Sequence, residues 1–217
     1  MKRRLVLAFA MTVGACKASP PPPEPAATPP APVYQRGVLL VEADSSMRFG
    51  ACGTTVERTV TARPDTRLLE AVMAVNGGIR DSLFVEVLAD TTQNSLVVRE
   101  TLFATTLGEG SRCDQPRLPF EWVAAGTEPF WRVTYDGTQL VLERPEPPRE
   151  VVFEATPPEV RGTLLTIAGR RNLDQVKEIK LGILRESCRD GMSDAWFPYR
   201  AEVRVGELAL AGCARRG

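Results

Sequence analysis

Hydrophobic and polar residues alternate in short runs along most of the chain, and this period of two marks half-buried strands. Residues 34–42 read Tyr-Gln-Arg-Gly-Val-Leu-Leu-Val-Glu, a polar turn covers residues 43–46, and Met47-Arg48-Phe49 opens a second strand. Cys52-Gly53 punctuates the pattern, and over residues 54–61 Val56 and Val60 fall on one face. The period then changes. Pro64-Asp65-Thr66 is a helix-start signal, and Leu68, Leu69, Val72, Met73 and Val75 recur at helical spacing until Gly77-Gly78 stops the run. Two more strands follow, residues 83–88 and 96–105, split by a turn at residues 90–94. Three strands, a helix and two strands is the order of an OB-like barrel, which the pattern predicts for residues 34–116.

Residues 115–119 form a short boundary, and beyond it the pattern is all β. About seven strands are expected, over residues 130–135, 139–143, 151–155, 162–168, 176–184, 199–205 and 208–211. Asp136-Gly137 is a hairpin signal between the first two, and Pro145-Glu146-Pro147-Pro148 is a break. The halves share no repeat. The predicted fold is therefore mostly β: two small β-barrel-like domains, the first OB-like with one helix (34–116), the second all-β (117–217).

The N-terminus follows neither pattern. Lys2, Arg3 and Arg4 precede an apolar run over residues 5–13, and Val13-Gly14-Ala15-Cys16 closes it with small residues. This is the layout of a secretory signal, too short to span a bilayer. A cysteine after small residues resembles a lipobox, so cleavage after residue 15 and acylation of Cys16 are expected. Residues 17–32 hold eight prolines among Ala, Ser and Thr. That composition favours a semi-rigid extended spacer, and residues 16–33 read as an acylated cysteine on a Pro-rich tether. Lys17, where some lipoproteins carry Asp, resembles the outer-membrane pattern of enteric-type bacteria. The expected location is the cell envelope, lipid-anchored, on the periplasmic face of the outer membrane.

Charge narrows the partners. The chain has 27 basic and 27 acidic residues and no histidine, and loss of residues 1–15 removes three bases and no acid. No basic excess is left for nucleic acid. Setting Cys16 aside, Cys52, Cys113, Cys188 and Cys213 remain, an even number suited to an oxidising compartment. Four cysteines allow three pairings. We expect Cys52–Cys113 and Cys188–Cys213, because each pair then lies within one domain; free buried thiols are the alternative. The loops closed, about 60 and 25 residues, correspond to about 3–4 kcal/mol each in the chain-entropy picture. On this reading, removing Cys188–Cys213 loosens residues 188–213 and leaves residues 34–113 folded. A zinc site is not expected, since there is no CxxC pair and no histidine.

Tyr34, Gly37, the run Glu42-Ala43-Asp44-Ser45, Phe49, Cys52 and the distant Cys113 resemble the C-terminal OB-like domain of the copper-resistance and envelope-stress lipoprotein NlpE. Leu39 and Val41 replace aromatics of that pattern and Ala51 replaces an acid. The CxxC of that family's other domain is absent, so copper binding does not carry over. Gly126-Thr127-Glu128-Pro129-Phe130-Trp131, Cys188-Arg189-Asp190-Gly191-Met192-Ser193-Asp194, Pro198, Ala201, Val203 and Gly212-Cys213-Ala214 resemble an uncharacterised envelope-lipoprotein domain. It is marked by E-P-F-W and C-x-D-G-M-S-D, and often accompanies NlpE-like or lysozyme-inhibitor-like domains.

No catalytic constellation assembles. Without histidine there is no Ser-His-Asp or Cys-His arrangement, and a Ser-Lys pair would need Lys177 or Lys180, which sit in a charged strand pattern. Asp190 and Asp194, four apart on a glycine turn, could offer oxygens to a hard cation or simply bond local backbone amides. Trp122, Trp131 and Trp196 all fall in the second half; with Phe130, Phe197 and Tyr199 they could line the mouth of a barrel or fill its core. Candidate binding residues are thus Trp131, Asp190, Asp194, Trp196 and Tyr199; no catalytic residue, metal or cofactor is expected. The expected role is non-catalytic: binding an envelope protein, lipid or cell-wall component, in stress sensing or envelope maintenance. A second reading is an inhibitor of a cell-wall hydrolase, and a third is an enzyme of unknown type. An inhibitor should present a protruding polar loop; a small-ligand binder should show an apolar pocket beside the tryptophans.

Overall fold

Strands dominate the computed structural model, which describes residues 30–76, 82–108, 112–171, 178–189 and 194–217. The expected signal segment, Cys16 and nearly all of the expected tether lie outside the described residues, as do Asp190 and Lys177. No helix among the described residues is long and apolar enough to cross a membrane. Residues Ala31–Gly217 cluster as one compact unit containing two closed β-barrels.

The first barrel is built from β1 (Val33–Val41), β2 (Met47–Ala51), β3 (Glu57–Ala62), β4 (Ser82–Thr91) and β5 (Ser95–Thr106). They pair in the circuit β1–β2–β3–β5–β4–β1, antiparallel except for β3–β5, where Thr59 faces Ser95 and Ala62 faces Val98. This is the expected OB-like arrangement with one helix, α1 (Leu68–Asn76), between β3 and β4. Inward positions such as Leu39, Val41, Phe49, Val85 and Val87 fill the interior. The helix contributes Leu68, Ala71 and Val72 to it. Leu69 and Met73, expected on the same apolar face, are instead 65% and 53% exposed. Helical spacing identified the element but made its buried stripe too wide. Val56 also lies outside β3 and is exposed, whereas Val60 is buried.

The second barrel uses β6 (Trp122–Thr127), β7 (Phe130–Tyr135), β8 (Gln139–Glu143), β9 (Glu150–Ala155), β11 (Leu164–Arg170), β12 (Glu178–Leu184), β14 (Tyr199–Val205) and β15 (Leu208–Arg216). Successive members are antiparallel neighbours, and β15 returns to β6 to close an eight-stranded circuit. A short strand, β10 (Glu159–Arg161), hangs on β11 as a hairpin. An eight-stranded barrel is just wide enough for side chains to fill or for one small ligand. Here Trp131, Leu140, Leu142, Phe153, Ile167, Ile179 and Leu181 fill it, each at most 1% exposed. The Asp136-Gly137 hairpin forms as expected: Asp136 accepts from the backbone N–H of Thr138 and Gln139 at 2.8 Å each, and Gly137 takes φ 100°.

Three strands were not anticipated. β6 escaped notice because its inward positions are Trp122, Ala124 and Gly126 and its outward ones Val123, Ala125 and Thr127, so size alternates while polarity does not. β10 is fully exposed and carries no apolar signal face. β13 (Ala195–Trp196) is two residues long, and its partner is ninety residues away: Ala195 pairs with Thr105 and Trp196 with Ala104 of β5. By chain position β13 belongs to the second half; by pairing and burial it belongs to the first barrel. β13 thus packs across the expected boundary near residue 117.

Candidate functional site

Both disulfides form as expected, Cys52–Cys113 and Cys188–Cys213. They serve different places. Cys52 and Cys113 pack against a small cluster of Phe84, Phe103 and Ala195 on the outer face of β4 and β5, together with Phe197. Cys188 pairs with Phe197 through two backbone hydrogen bonds of 3.0 Å. The second bridge therefore ties the start of the β13 segment to the last strand.

Four of the five candidate binding residues are described, and they lie in different surroundings. Trp131 lies inside the second barrel. Trp196 lies in the core of the first, beside Leu68 and Val72 in the same cluster. Tyr199 packs edge-on against Trp122, with ring centroids 5.0 Å apart, and donates its hydroxyl to Glu100 of β5 at 2.8 Å. Burial, and then the Glu100 charge, pushes that hydroxyl up to about 12. Asp194 is exposed, and Asp190 falls outside the described residues. Among the described residues no cluster of three metal-ligating side chains occurs. Of the two readings open for the aromatics, barrel mouth or core, the core one describes Trp131 and Trp196. The tryptophans are divided between two cores, because a large indole buried fully in a packed barrel contributes more than one left at its rim.

Charged contacts join the barrels, as do the β13–β5 pairing and aromatic packing. Arg67 has a left-handed backbone (φ 63°), unusual for a residue with a side chain. Its guanidinium grips Glu70 through two bonds of 2.8 and 3.0 Å, donates to the Pro198 carbonyl at 2.6 Å, and lies over the Trp196 ring. Ser187 also donates to Glu70. Hydrogen bonding from Arg67 outweighs burial and holds the Glu70 carboxyl down at about 2. The Trp196 indole N–H makes no hydrogen bond of good geometry even though it faces Glu70. At the far end of β15, Arg215 pairs with Glu86 at 3.1 Å between largely buried side chains and lies over Phe103.

Around β2 and β3, the face on which OB-like barrels take up oligonucleotides, Arg58 donates to the Thr92 carbonyl and ion pairs form. Arg48 pairs with Glu42 and Glu57, and nearby Arg99 pairs with Asp90.

The residues that do converge are those of the two motif segments in the second barrel. Gly126 and Trp131 face each other across the β6–β7 pair. A Cβ on Gly126 would come within 2.3 Å of the Trp131 Nε1, and one on Gly212 within 2.0 Å of the Ala125 carbonyl and 2.9 Å of the same indole. The two glycines thus leave room for the Trp131 ring between strands that approach closely. The Glu128–Pro129 peptide is cis and ends the β6–β7 hairpin. Beside it opens a groove of about 530 Å3 at the Cys188–Cys213 bridge, bordered by Thr127, Glu128, Glu186, Ser187, Arg189 and Arg200. Sequence reasoning did not single out these six as a group, since they come from three separate stretches of chain. A larger cleft of about 660 Å3 at the other end of β6, near Phe120, Trp122 and Arg216, contains none of the motif residues.

Compared with protein families, with curated protein sequences and with solved structures, the chain matches none of them.

Proposed function

We propose that this chain is a non-catalytic envelope lipoprotein, anchored through Cys16 and a Pro-rich tether, that binds a protein partner at the groove beside Cys188–Cys213. The observation that carries the binding part is convergence. Segments more than fifty residues apart, Gly126-Thr127-Glu128 and Cys188-Arg189, meet the last strand around one polar groove. A groove edged by two arginines and two glutamates suits a hydrated polar surface better than an apolar small molecule, which calls for a mostly hydrophobic pocket. The burial of Trp131 and Trp196 in the two cores also weighs against a small apolar ligand beside them. The anchoring part rests on the basic start, the apolar run and Val13-Gly14-Ala15-Cys16, and the resemblance to NlpE-like lipoproteins agrees with it.

Two measurements test this reading. Mass spectrometry of the native N-terminal peptide should find an acylated Cys16; a mature form starting elsewhere refutes the anchor. Crosslinking from the native envelope, comparing the wild-type chain with an Arg189→Glu/Arg200→Glu variant, should show a partner retained by the first and lost by the second. Equal capture by both removes the groove from the proposal. A second reading, inhibition of a cell-wall hydrolase, is favoured by the β10–β11 hairpin, whose Glu159, Val160 and Arg161 are all exposed, as an inhibitory loop would be. Hydrolase assays with and without residues 159–163 separate the two.

A further inference from the structure

Successive strands of the second barrel are antiparallel neighbours, so the turns β6–β7, β8–β9 and β14–β15 all lie at one end of it. A cleft of about 290 Å3 opens among these three turns. Its walls are apolar: Pro129 and Phe130 on the first, Pro147 on the second, Leu208 and Leu210 on the third. Leu210 is part of the barrel core and Leu208 packs against that core, so the cleft is a mouth that reaches down to the packed interior. It takes the Pro129–Phe130 side of the β6–β7 turn, whereas the groove at Cys188–Cys213 takes the Thr127–Glu128 side.

A cation stands in this apolar mouth. Along β8 the buried positions are Leu140 and Leu142, both in the barrel core. The period of two puts Arg144, just past the strand end, on the same inward side. Its backbone N–H prolongs the ladder by donating to the Arg149 carbonyl at 2.8 Å. Its side chain lines the cleft, and its Nε is buried without a hydrogen-bond partner. The adjacent acid, Glu143, is engaged with Arg132 at 3.8 Å instead, and among the described residues no ion pair forms on Arg144. A buried donor without an acceptor costs stability, and native proteins keep few of them. Phe130 stands at the same cleft and is 53% exposed. A single exposed apolar side chain needs no explanation; one that shares a cleft with an unpaired guanidinium, two prolines and two leucines does.

We infer that this barrel mouth binds a small amphiphile with one carboxylate on a short apolar chain, the carboxylate held by Arg144 and the chain by Phe130, Pro147 and Leu208. The site is separate from the groove at Cys188–Cys213 and does not depend on it. A guanidinium offers a planar fork of donors that matches a carboxylate. Sites for small ligands are mostly apolar with a few polar groups that fix orientation, and barrel mouths are among their usual places. The volume of about 290 Å3 lies at the low end of the roughly 300–1,000 Å3 of such sites, which keeps the apolar part short. Charge selects a carboxylate over a phosphate. Among the described residues lining the cleft, Arg144 is the one cation, and Glu146, exposed on the β8–β9 turn, is an acid. A second negative charge on the ligand would face Glu146 with no cation to match it.

The probe is octanoate, titrated into the disulfide-intact chain below the concentration at which it self-associates, with octanol and octyl phosphate as its neutral and more highly charged counterparts. Octanoate should bind and shift the backbone amide signals of Phe130, Arg144 and Leu208 before those around Cys188 and Cys213. Octanol should bind about tenfold or more weakly, the loss expected when a charge-assisted hydrogen bond is not made. Arg144→Met keeps the length of the side chain without its charge; it should weaken octanoate by a similar factor and leave octanol unchanged. The three ligands on the wild-type chain decide the matter even if that variant does not fold. Equal affinity for octanoate and octanol would remove Arg144 from the site and overturn the proposal. So would amide shifts confined to residues 186–189 and 212–213, which would place the anion in the groove. Tighter binding of octyl phosphate would overturn the carboxylate, and no binding of octanoate at millimolar concentration would overturn the site altogether.

Discussion

The two barrels complete their cores in opposite ways. The second draws its interior from its own strands, from Trp122 to Ala214. The first, with five strands and a helix, includes one residue that is not its own: Trp196, 1% exposed, delivered by a two-residue strand from the far half of the chain. A short barrel encloses few inward positions, and an indole buries about 150–250 Å2 by itself. The lesson is that the core of the first barrel is completed by a segment from the second half of the chain. Position along the chain separates two units, and packing joins them.

This comparison breaks most sharply at Trp196. Trp196→Ala should cost about 3–5 kcal/mol, and hydrogen exchange should report the loss in β4, β5 and α1 before β7, β8 and β12. Preserved protection in the first barrel would show that it is complete without the indole.

Next in size is the bridge that positions β13. Replacing Cys188 and Cys213 by Ala should lower stability by about 3 kcal/mol for a loop of this length. It should reduce protection both in residues 194–199 and across β4–β5. This replaces the expectation that residues 34–113 stay unaffected, which assumed that the bridge served one domain only. If the first barrel keeps full protection in the double variant, the indole and the Phe103–Phe197 ring contact, 5.3 Å between centroids, hold β13 without help.

Arg67 sharpens the comparison further, because its side chain and its backbone pull in opposite directions. Arg67→Ala loses the Glu70 and Pro198 bonds while keeping a Cβ at φ 63°; Arg67→Gly loses the same bonds but accepts that φ freely. Chemical denaturation should therefore show Arg67→Ala destabilised by about 1–2 kcal/mol and Arg67→Gly by less. Equal losses would mean that the left-handed backbone carries no cost here.

The smallest effect is a pH dependence at Glu70. Its folded carboxyl is held at about 2, against an ordinary 4.5, by the Arg67 hydrogen bonds. The stability linked to this is present above the ordinary value and is lost as pH falls towards 2. Because the Glu70 side chain is 43% exposed, the contribution should stay below about 1 kcal/mol. Glu70→Gln should flatten that part of the acid limb in a pH series of melts; an unchanged slope would place the linkage elsewhere.

Much of this fold can be read from particular residues. Leu39 and Val41 alternate as a half-buried strand should, and Asp136-Gly137 marks its hairpin. The runs Leu83-Phe84-Val85 and Thr101-Leu102-Phe103-Ala104-Thr105 do not alternate, and all eight residues are buried. Such continuous runs mark strands covered on both faces, so the chain did signal that something lies over the outside of β4 and β5. It did not say what. The groove was less legible still: E-P-F-W and G-C-A stand out as motifs, but the proximity of Glu128, Arg189 and Arg200 depends on how the barrel closes.

The amino-acid sequence by itself determined the elements, the OB-like order of the first half, the β character of the second, and a cysteine count that pairs completely once Cys16 is set aside. These follow from local chemistry: side-chain period, turn residues and the even number of thiols. Tertiary structure alone decided that Trp131 and Trp196 serve different barrels, that β13 crosses to β5, and that β15 returns to β6 to close the second barrel. Those outcomes depend on which surfaces meet across many tens of residues. No period or motif encodes that distance; it is settled by the closure of each barrel and the space its own side chains leave to be filled.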